Sequence, residues 1–109
     1  MPRGFELYLR DILEAITRIE SYVEDVDQRG FAADQMRVDA VIRNLEVIGE
    51  AAKHLRESER ALAPDIPWRK IAGLRNILAH EYFGVDLDIV WDVIITHLPP
   101  LRRAVSILI

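Results

Sequence analysis

Phe5-Glu6-Leu7-Tyr8-Leu9-Arg10-Asp11-Ile12-Leu13-Glu14-Ala15-Ile16-Thr17-Arg18-Ile19-Glu20-Ser21-Tyr22-Val23-Glu24-Asp25-Val26 repeats its apolar side chains at steps of three and four residues. Phe5, Tyr8, Leu9, Ile12, Ile16, Ile19, Val23 and Val26 carry that rhythm, which is the period of an α-helix with one buried stripe. The spacing predicts a first helix over 5–26, followed by a loop where Asp25, Asp27, Arg29 and Gly30 interrupt the pattern. Asp34 then suits the N-cap of a second, long helix running to about Ser58. Its core stripe is Met36, Val41, Leu45, Ile48, Ala52 and Leu55, and its charged stripe is Asp39, Arg43, Glu46, Glu50, Lys53 and Glu57. Gly49 sits between the stripes. A mid-helix glycine costs about 1 kcal/mol against alanine, so another backbone or a ligand is expected to approach closely there.

The run Ala63-Pro64-Asp65-Ile66-Pro67-Trp68 ends that helix, and Pro67 fits the first turn of a third, where a missing N–H goes unnoticed. Ile71, Leu74 and Leu78 form its stripe, and Gly84 is expected to close it. Asp86 or Asp88 should cap a fourth helix with Leu87, Val90, Trp91, Ile94 and Ile95 on its apolar side. Pro99-Pro100 should kink or stop it ahead of a short last helix over 101–109. No strand-like alternation, repeat or low-complexity run interrupts the series. The expected fold is all-α, an antiparallel bundle of four to five helices with short connections.

The 109 residues fit one domain, 1–109, and the apolar half of the composition supports a packed core. There is no cysteine, so disulfides and thiolate metal sites are excluded and a reducing cytoplasm is the expected address. No apolar run approaches the roughly 20 residues needed to cross a bilayer, so no membrane role is expected. The formal net charge is −4, unfavourable for a protein that holds nucleic acid through many phosphate contacts. Any RNA contact must therefore be local, in a basic cleft or at a cleft completed by assembly.

The chemically informative stretch is Leu74-Arg75-Asn76-Ile77-Leu78-Ala79-His80-Glu81-Tyr82-Phe83-Gly84. Cutting RNA without a metal needs a proton acceptor for the ribose 2′-hydroxyl, a donor to the departing 5′-oxygen and positive charge on the phosphorus centre between them. Histidine titrates near neutrality and suits His80 to the proton transfers. Arg75 offers a planar fork of donors to phosphate oxygens, and Asn76 can fix the imidazole or bond the phosphate. At about 100° per residue, Arg75 and His80 lie about 140° apart on an ideal helix. Both serve one site if the arginine reaches around, if the helix loosens, or if a second subunit completes the cleft. Two such helices meeting at a twofold axis would line one groove with two copies of each residue, and Arg69 and Lys70 could extend the positive patch.

On the second helix, Glu46 and Glu50 are like charges one turn apart, a mildly destabilising pair unless cations lie near. Arg43 and Lys53 supply some, and either carboxylate could position the Arg75 guanidinium. The plainer reading is that this stripe faces solvent. His54 is expected to be an exposed helix residue without chemical company, and His97 to sit near a helix end. Neither shows a zinc-ligand spacing, and no metal or cofactor is expected. Trp68 and Trp91 are expected to anchor the core.

Several linked segments resemble the HepT-like proteins of the HEPN superfamily over nearly the full length. Residues Asp39-Ala40-Val41-Ile42-Arg43-Asn44-Leu45-Glu46-Val47-Ile48-Gly49-Glu50-Ala51-Ala52 resemble the second-helix signature, and Ile66-Pro67-Trp68 resembles the entry to helix three. Arg75-Asn76 through His80, Glu81 and Tyr82 resembles the motif of Arg, four residues, His, one residue, Tyr. Phe83-Gly84-Val85-Asp86 and Val90-Trp91 fall where the same pattern has them. The resemblance implies a HEPN-like bundle and a metal-independent endoribonuclease toxin working as a homodimer, with Arg75 and His80 of both protomers in a shared cleft. It also implies an MntA-type nucleotidyltransferase antitoxin that transfers AMP onto Tyr82, placing a bulky anion about one helical turn from Arg75. Two alternatives stand beside it: a non-catalytic dimeric module that binds and regulates the nucleotidyltransferase, and a nucleotide-binding accessory subunit.

Overall fold

The structure, a computed structural model, describes residues 3–80 and 86–109, leaving aside the side chains of residues 3 and 75–80. Within them the chain runs α1 (Arg3–Val23), α2 (Gln28–Ala33), α3 (Gln35–Lys53), α4 (Glu57–Arg60), α5 (Trp68–His80), α6 (Leu87–Asp92), a π-helical turn (Val93–His97) and α7 (Leu98–Leu108). The described residues are all-helical, as the periodicity predicts. Helix α3 stands at the centre, packed against α1 on one side and α5 on another, with α7 against α1.

Burial follows the stripes. Leu9, Ile12, Ile16 and Ile19 of α1 meet Val41, Leu45, Ile48 and Ala52 of α3, with Leu101 and Val105 of α7 in the same core. Removing apolar surface from water at about 25 cal/mol per Å² is the main term holding this layer together. Gly49 is buried within α3. Trp68 is buried and its indole N–H donates to the Ala63 carbonyl at 3.0 Å, so the ring fills the core without leaving its polar atom unpaired. Trp91 is half-buried and packs its ring on Phe31, with centroids 5.4 Å apart.

The ends of the elements have identifiable causes. Asp34 caps α3, accepting from the backbone N–H groups of Met36 and Arg37, and Asp86 caps α6 by accepting from Asp88 N–H at 2.8 Å. The Arg37 guanidinium ties the entry of α3 to the exit of α1, donating to the Tyr22 carbonyl at 2.6 Å, Asp25 at 2.7 Å and Asp34 at 2.9 Å. Hydrogen bonding to Arg37, from its side chain at Asp25 and chiefly from its backbone N–H at Asp34, holds both carboxyls below the usual aspartate range. Toward the same end of α1, Arg102 bonds Glu20 at 2.6 Å and Thr17 at 2.8 Å, joining α7 to α1.

Five expectations are corrected. The segment read as a loop around Arg29 and Gly30 is helix α2, capped by Asp27, whose side chain accepts from Gly30 N–H. The second long helix stops at Lys53, short of Ser58: Arg60 donates to the Ala52 carbonyl at 2.9 Å, and Glu59 takes the Arg56 N–H to begin α4. Met36, placed in the core stripe, is 83% exposed, because the buried row of α3 begins at Val38 and continues through Val41, Ile42 and Leu45. Ile95 is 55% exposed and sits in the π turn, while the buried row runs through Val90, Ile94 and Leu98. That turn also replaces the break expected at Pro99-Pro100. Leu98 N–H bonds the Val93 carbonyl five residues back, and the wider turn lets the helix pass the two prolines, which lack N–H donors.

Candidate functional site

Helix α5 carries Arg75, Asn76 and His80 along its last six residues. Asn76 and His80 are one turn apart, whereas Arg75 and His80 are separated by about 7.5 Å along the axis. The side chains of Arg75, Asn76, Leu78 and His80, and the whole of Glu81, Tyr82, Phe83 and Gly84, lie outside the described residues. The expected pairing of Arg75 with Glu46 or Glu50, the placement of Tyr82 and the cap at Gly84 therefore carry no geometry here. On the first turn of α5, Arg69 and Lys70 are exposed, as a basic extension requires.

The carboxylates of α3 are described in full. Glu46 keeps only 24% of its side chain exposed, in contrast to the solvent-facing stripe that its neighbours form. Arg43 reaches it at 3.9 Å from a largely exposed position, a geometry worth a fraction of a kcal/mol at most. Glu50 lies one turn on, with Oε2 shut off from solvent and Oε1 at 3.3 Å from His54 Nε2. These residues line a groove of about 390 Å³ whose far wall is Tyr8 and Asp11 of α1. Helix α3, which carries the row Arg43, Glu46, Glu50, packs against both α1 and α5.

Sequence reasoning missed two members of this groove. His54 has company: its ring lies on that of Tyr8, with centroids 4.9 Å apart and planes 11° from parallel. Tyr8 had been counted as a core position alone. The signal available was the i, i+4 spacing of Glu50 and His54, which places the carboxylate beside the imidazole on one helix face. His97 is exposed in the π turn, 3.6 Å from Asp92.

Two of the further hollows among the described residues flank the bundle. One, beside Arg37, is lined by Asp25 and Asp34 and is occupied by their structural ion pairs. The other, about 460 Å³, is mainly apolar and runs between Ile66, Ile71 and Leu74 on the α5 side and Val93 and Pro100 on the α7 side. Among the described residues no group of three or more histidines, cysteines or carboxylates is arranged to hold a metal ion. No described helix is long and apolar enough to cross a membrane.

Comparison with known proteins gives a consistent result. The family model described as Ribonuclease HepT-like matches residues 12–108. The chain is 37% identical over 105 residues to MJ1380 of Methanocaldococcus jannaschii, named as an RNase, covering 96% of each. It is 41% identical over 102 residues to a Thermococcus cleftensis protein named as a ribonuclease HepT, covering 94% of this chain and 93% of the other. Among solved structures, a tri-AMPylated HEPN toxin of Shewanella oneidensis, in complex with an MNT antitoxin, superposes with a TM-score of 0.72 at 28% identity. That match covers 99% of this chain and 98% of the other.

Proposed function

Because the chain belongs to the HepT-like ribonuclease family, we propose that it is the endoribonuclease toxin of a toxin–antitoxin pair, one HEPN domain over 1–109 acting in the cytoplasm. The observation that carries this reading is the unbroken string in the sequence of Arg75, four residues, His80, one residue, Tyr82, with Arg75 and His80 on α5 and the whole string inside the matched span. An acidic chain needs its positive charge concentrated where the substrate phosphate sits. A homodimer that brings two copies of Arg75 and His80 to one cleft meets that need.

In this reading an imidazole of His80 takes the proton from a ribose 2′-hydroxyl, and the 2′-oxygen attacks the adjacent phosphorus. The 5′-oxygen leaves with a proton returned from the histidine pair, so the products carry a 2′,3′-cyclic phosphate and a 5′-hydroxyl. Arg75 neutralises the extra negative charge on the non-bridging oxygens in the transition state. Asn76 holds the imidazole or a phosphate oxygen, and Glu46 or Glu50, with Arg43 nearby, sets the direction of the Arg75 guanidinium. No step uses a metal.

Regulation follows from the same helix end. An MntA-type nucleotidyltransferase partner transfers AMP from ATP to Tyr82: the phenolic oxygen attacks the α-phosphorus, and pyrophosphate leaves. The added anion stands close to the phosphate-binding arginine and repels RNA. That the superposed Shewanella oneidensis toxin is tri-AMPylated and in complex with an MNT antitoxin supports this assignment. The intact motif favours it over a purely regulatory module.

Incubation of the pure protein with total RNA in excess chelator tests the chemistry. Cleavage should persist and leave cyclic phosphate ends. A strict requirement for added magnesium, or products ending in a free 3′-hydroxyl, would refute the mechanism. After incubation with the partner, ATP and magnesium, mass spectrometry should place adenylyl groups on Tyr82; modification elsewhere would overturn the regulatory account.

A further inference from the structure

Helix α5 packs on α3, and among its described side chains Trp68 and Ile71 are buried. At about 100° per residue, position 75, seven residues after Trp68, falls on that inner side of the helix. Positions 69, 73, 76 and 80 fall within about 60° of one another on the outer side. Within one protomer, the cation that shares a face with position 80 is therefore Arg69. It is exposed, and among the described residues nothing pairs with its guanidinium.

The outer face between Arg69 and position 80 is open at Gly73. No described atom comes within 4 Å of a Cβ built there. A glycine inside a helix destabilises it relative to alanine, and no packing against Gly73 among the described residues of one protomer offsets that loss. The gap leaves room for an outside chain to pass close to the helix backbone, and charge decides which chain. The stripe 69, 73, 76, 80 contains an arginine and no carboxylate. A second copy meeting it through the same patch would set arginine against arginine, whereas a polyanion satisfies it. The planar guanidinium matches phosphate oxygens. Along the axis Arg69 stands about 16 Å from position 80, too far to reach the phosphate being cut but in line with the strand on one side of it.

We propose that Arg69 and the gap at Gly73 form a track for the RNA flanking the cut: the sugar-phosphate backbone crosses α5 over Gly73, and Arg69 holds a flanking phosphate. The purpose of the track rests on the ribonuclease reading, in which Arg75 keeps the reacting phosphate. Contact through phosphate makes the track indifferent to the bases that pass over it. Lys70 lies about 100° further round the helix and lines the apolar hollow beside Ile71 and Leu74, so it flanks the track without lying in it.

The test uses the full-length protein carrying His80→Ala, so that RNA is bound and not cut, with fluorescently labelled single-stranded RNA oligonucleotides read by anisotropy over a range of salt. Adding Arg69→Ala should weaken binding about tenfold, equally for purine-rich and pyrimidine-rich strands. It should also flatten the plot of log affinity against log salt by about 0.7, the share of one phosphate contact on a single strand. Arg69→Lys should keep the slope, and so should Arg29→Ala, which removes an exposed cation on α2. Gly73→Leu, at an open position, should fold, keep the native oligomeric mass and weaken binding as Arg69→Ala does. No binding, a slope unchanged by Arg69→Ala, or a slope lowered as much by Arg29→Ala would overturn the track. So would a Gly73→Leu protein whose assembly splits, which would make the gap a contact between copies. If the wild type cuts RNA and Arg69→Ala changes neither KM nor the salt slope, the track alone falls. If the wild type fails to cut yet the slope depends on Arg69, cleavage falls and the track stands.

Discussion

Arg37 shows how much one side chain can organise at the residue scale. It bonds the last turn of α1 through the Tyr22 carbonyl and holds two aspartates at the loop and cap that follow. Both carboxyls are held below their ordinary value of 3.8 in the fold. A carboxyl with a lowered folded pKa contributes stability that is fully present above the unfolded value and is lost as pH falls through the folded one. Thermal unfolding followed from neutral to acid pH should therefore lose a stabilising component below about pH 4. Arg37→Met should remove the Asp25 part of that component while leaving the Asp34 part, which depends chiefly on the backbone N–H, and the neutral-pH fold largely intact; an unchanged acid profile would contradict the role given to Arg37. In the core, Phe31 is fully buried and packs on Trp91. Phe31→Ala should cost about 3–5 kcal/mol in denaturant unfolding, and a loss below 1 kcal/mol would mean that α2 contributes little to the fold.

At the scale of elements, legibility followed the length of the periodic signal. Helices α1 and α3 were plain because their apolar rows persist for several turns. Helix α2 was hidden because six residues containing Gly30 give no period, and its one clue was Asp27 as a cap. Ile95 was misplaced for a different reason: it shares the i, i+4 row of the half-buried Trp91, whereas the buried row runs through Val90, Ile94 and Leu98. The chemistry of α5 was legible as a string of residue types, since Arg75, His80 and Tyr82 are functional groups wherever they point. The Tyr8–His54 stack joins two helices distant in sequence, a contact that spacing along one helix cannot reveal. Gly49 offers a test at this scale. It is buried in α3, so Gly49→Val should overpack α3 and lower stability by about 1–3 kcal/mol. A neutral effect would show that space is available beside it.

For the whole molecule, the net charge of −4 is the quantity the account must reconcile with RNA. A single copy presents one Arg75 and one His80 about 140° apart on an ideal helix, and the proposed twofold pair would supply the missing partners. Mixing Arg75→Ala protein with His80→Ala protein, each inactive alone, should restore part of the cleavage once protomers exchange, because the shared cleft of a mixed dimer regains one intact Arg75 and one intact His80. No recovery, with exchange confirmed by native mass spectrometry, would contradict the shared cleft. The most direct measurement is simpler. Wild-type protein and His80→Ala, purified identically, are incubated with total RNA and compared on a denaturing gel. The account predicts fragments from the wild type and intact RNA from the variant; equal cleavage by both, or none by either, would contradict it.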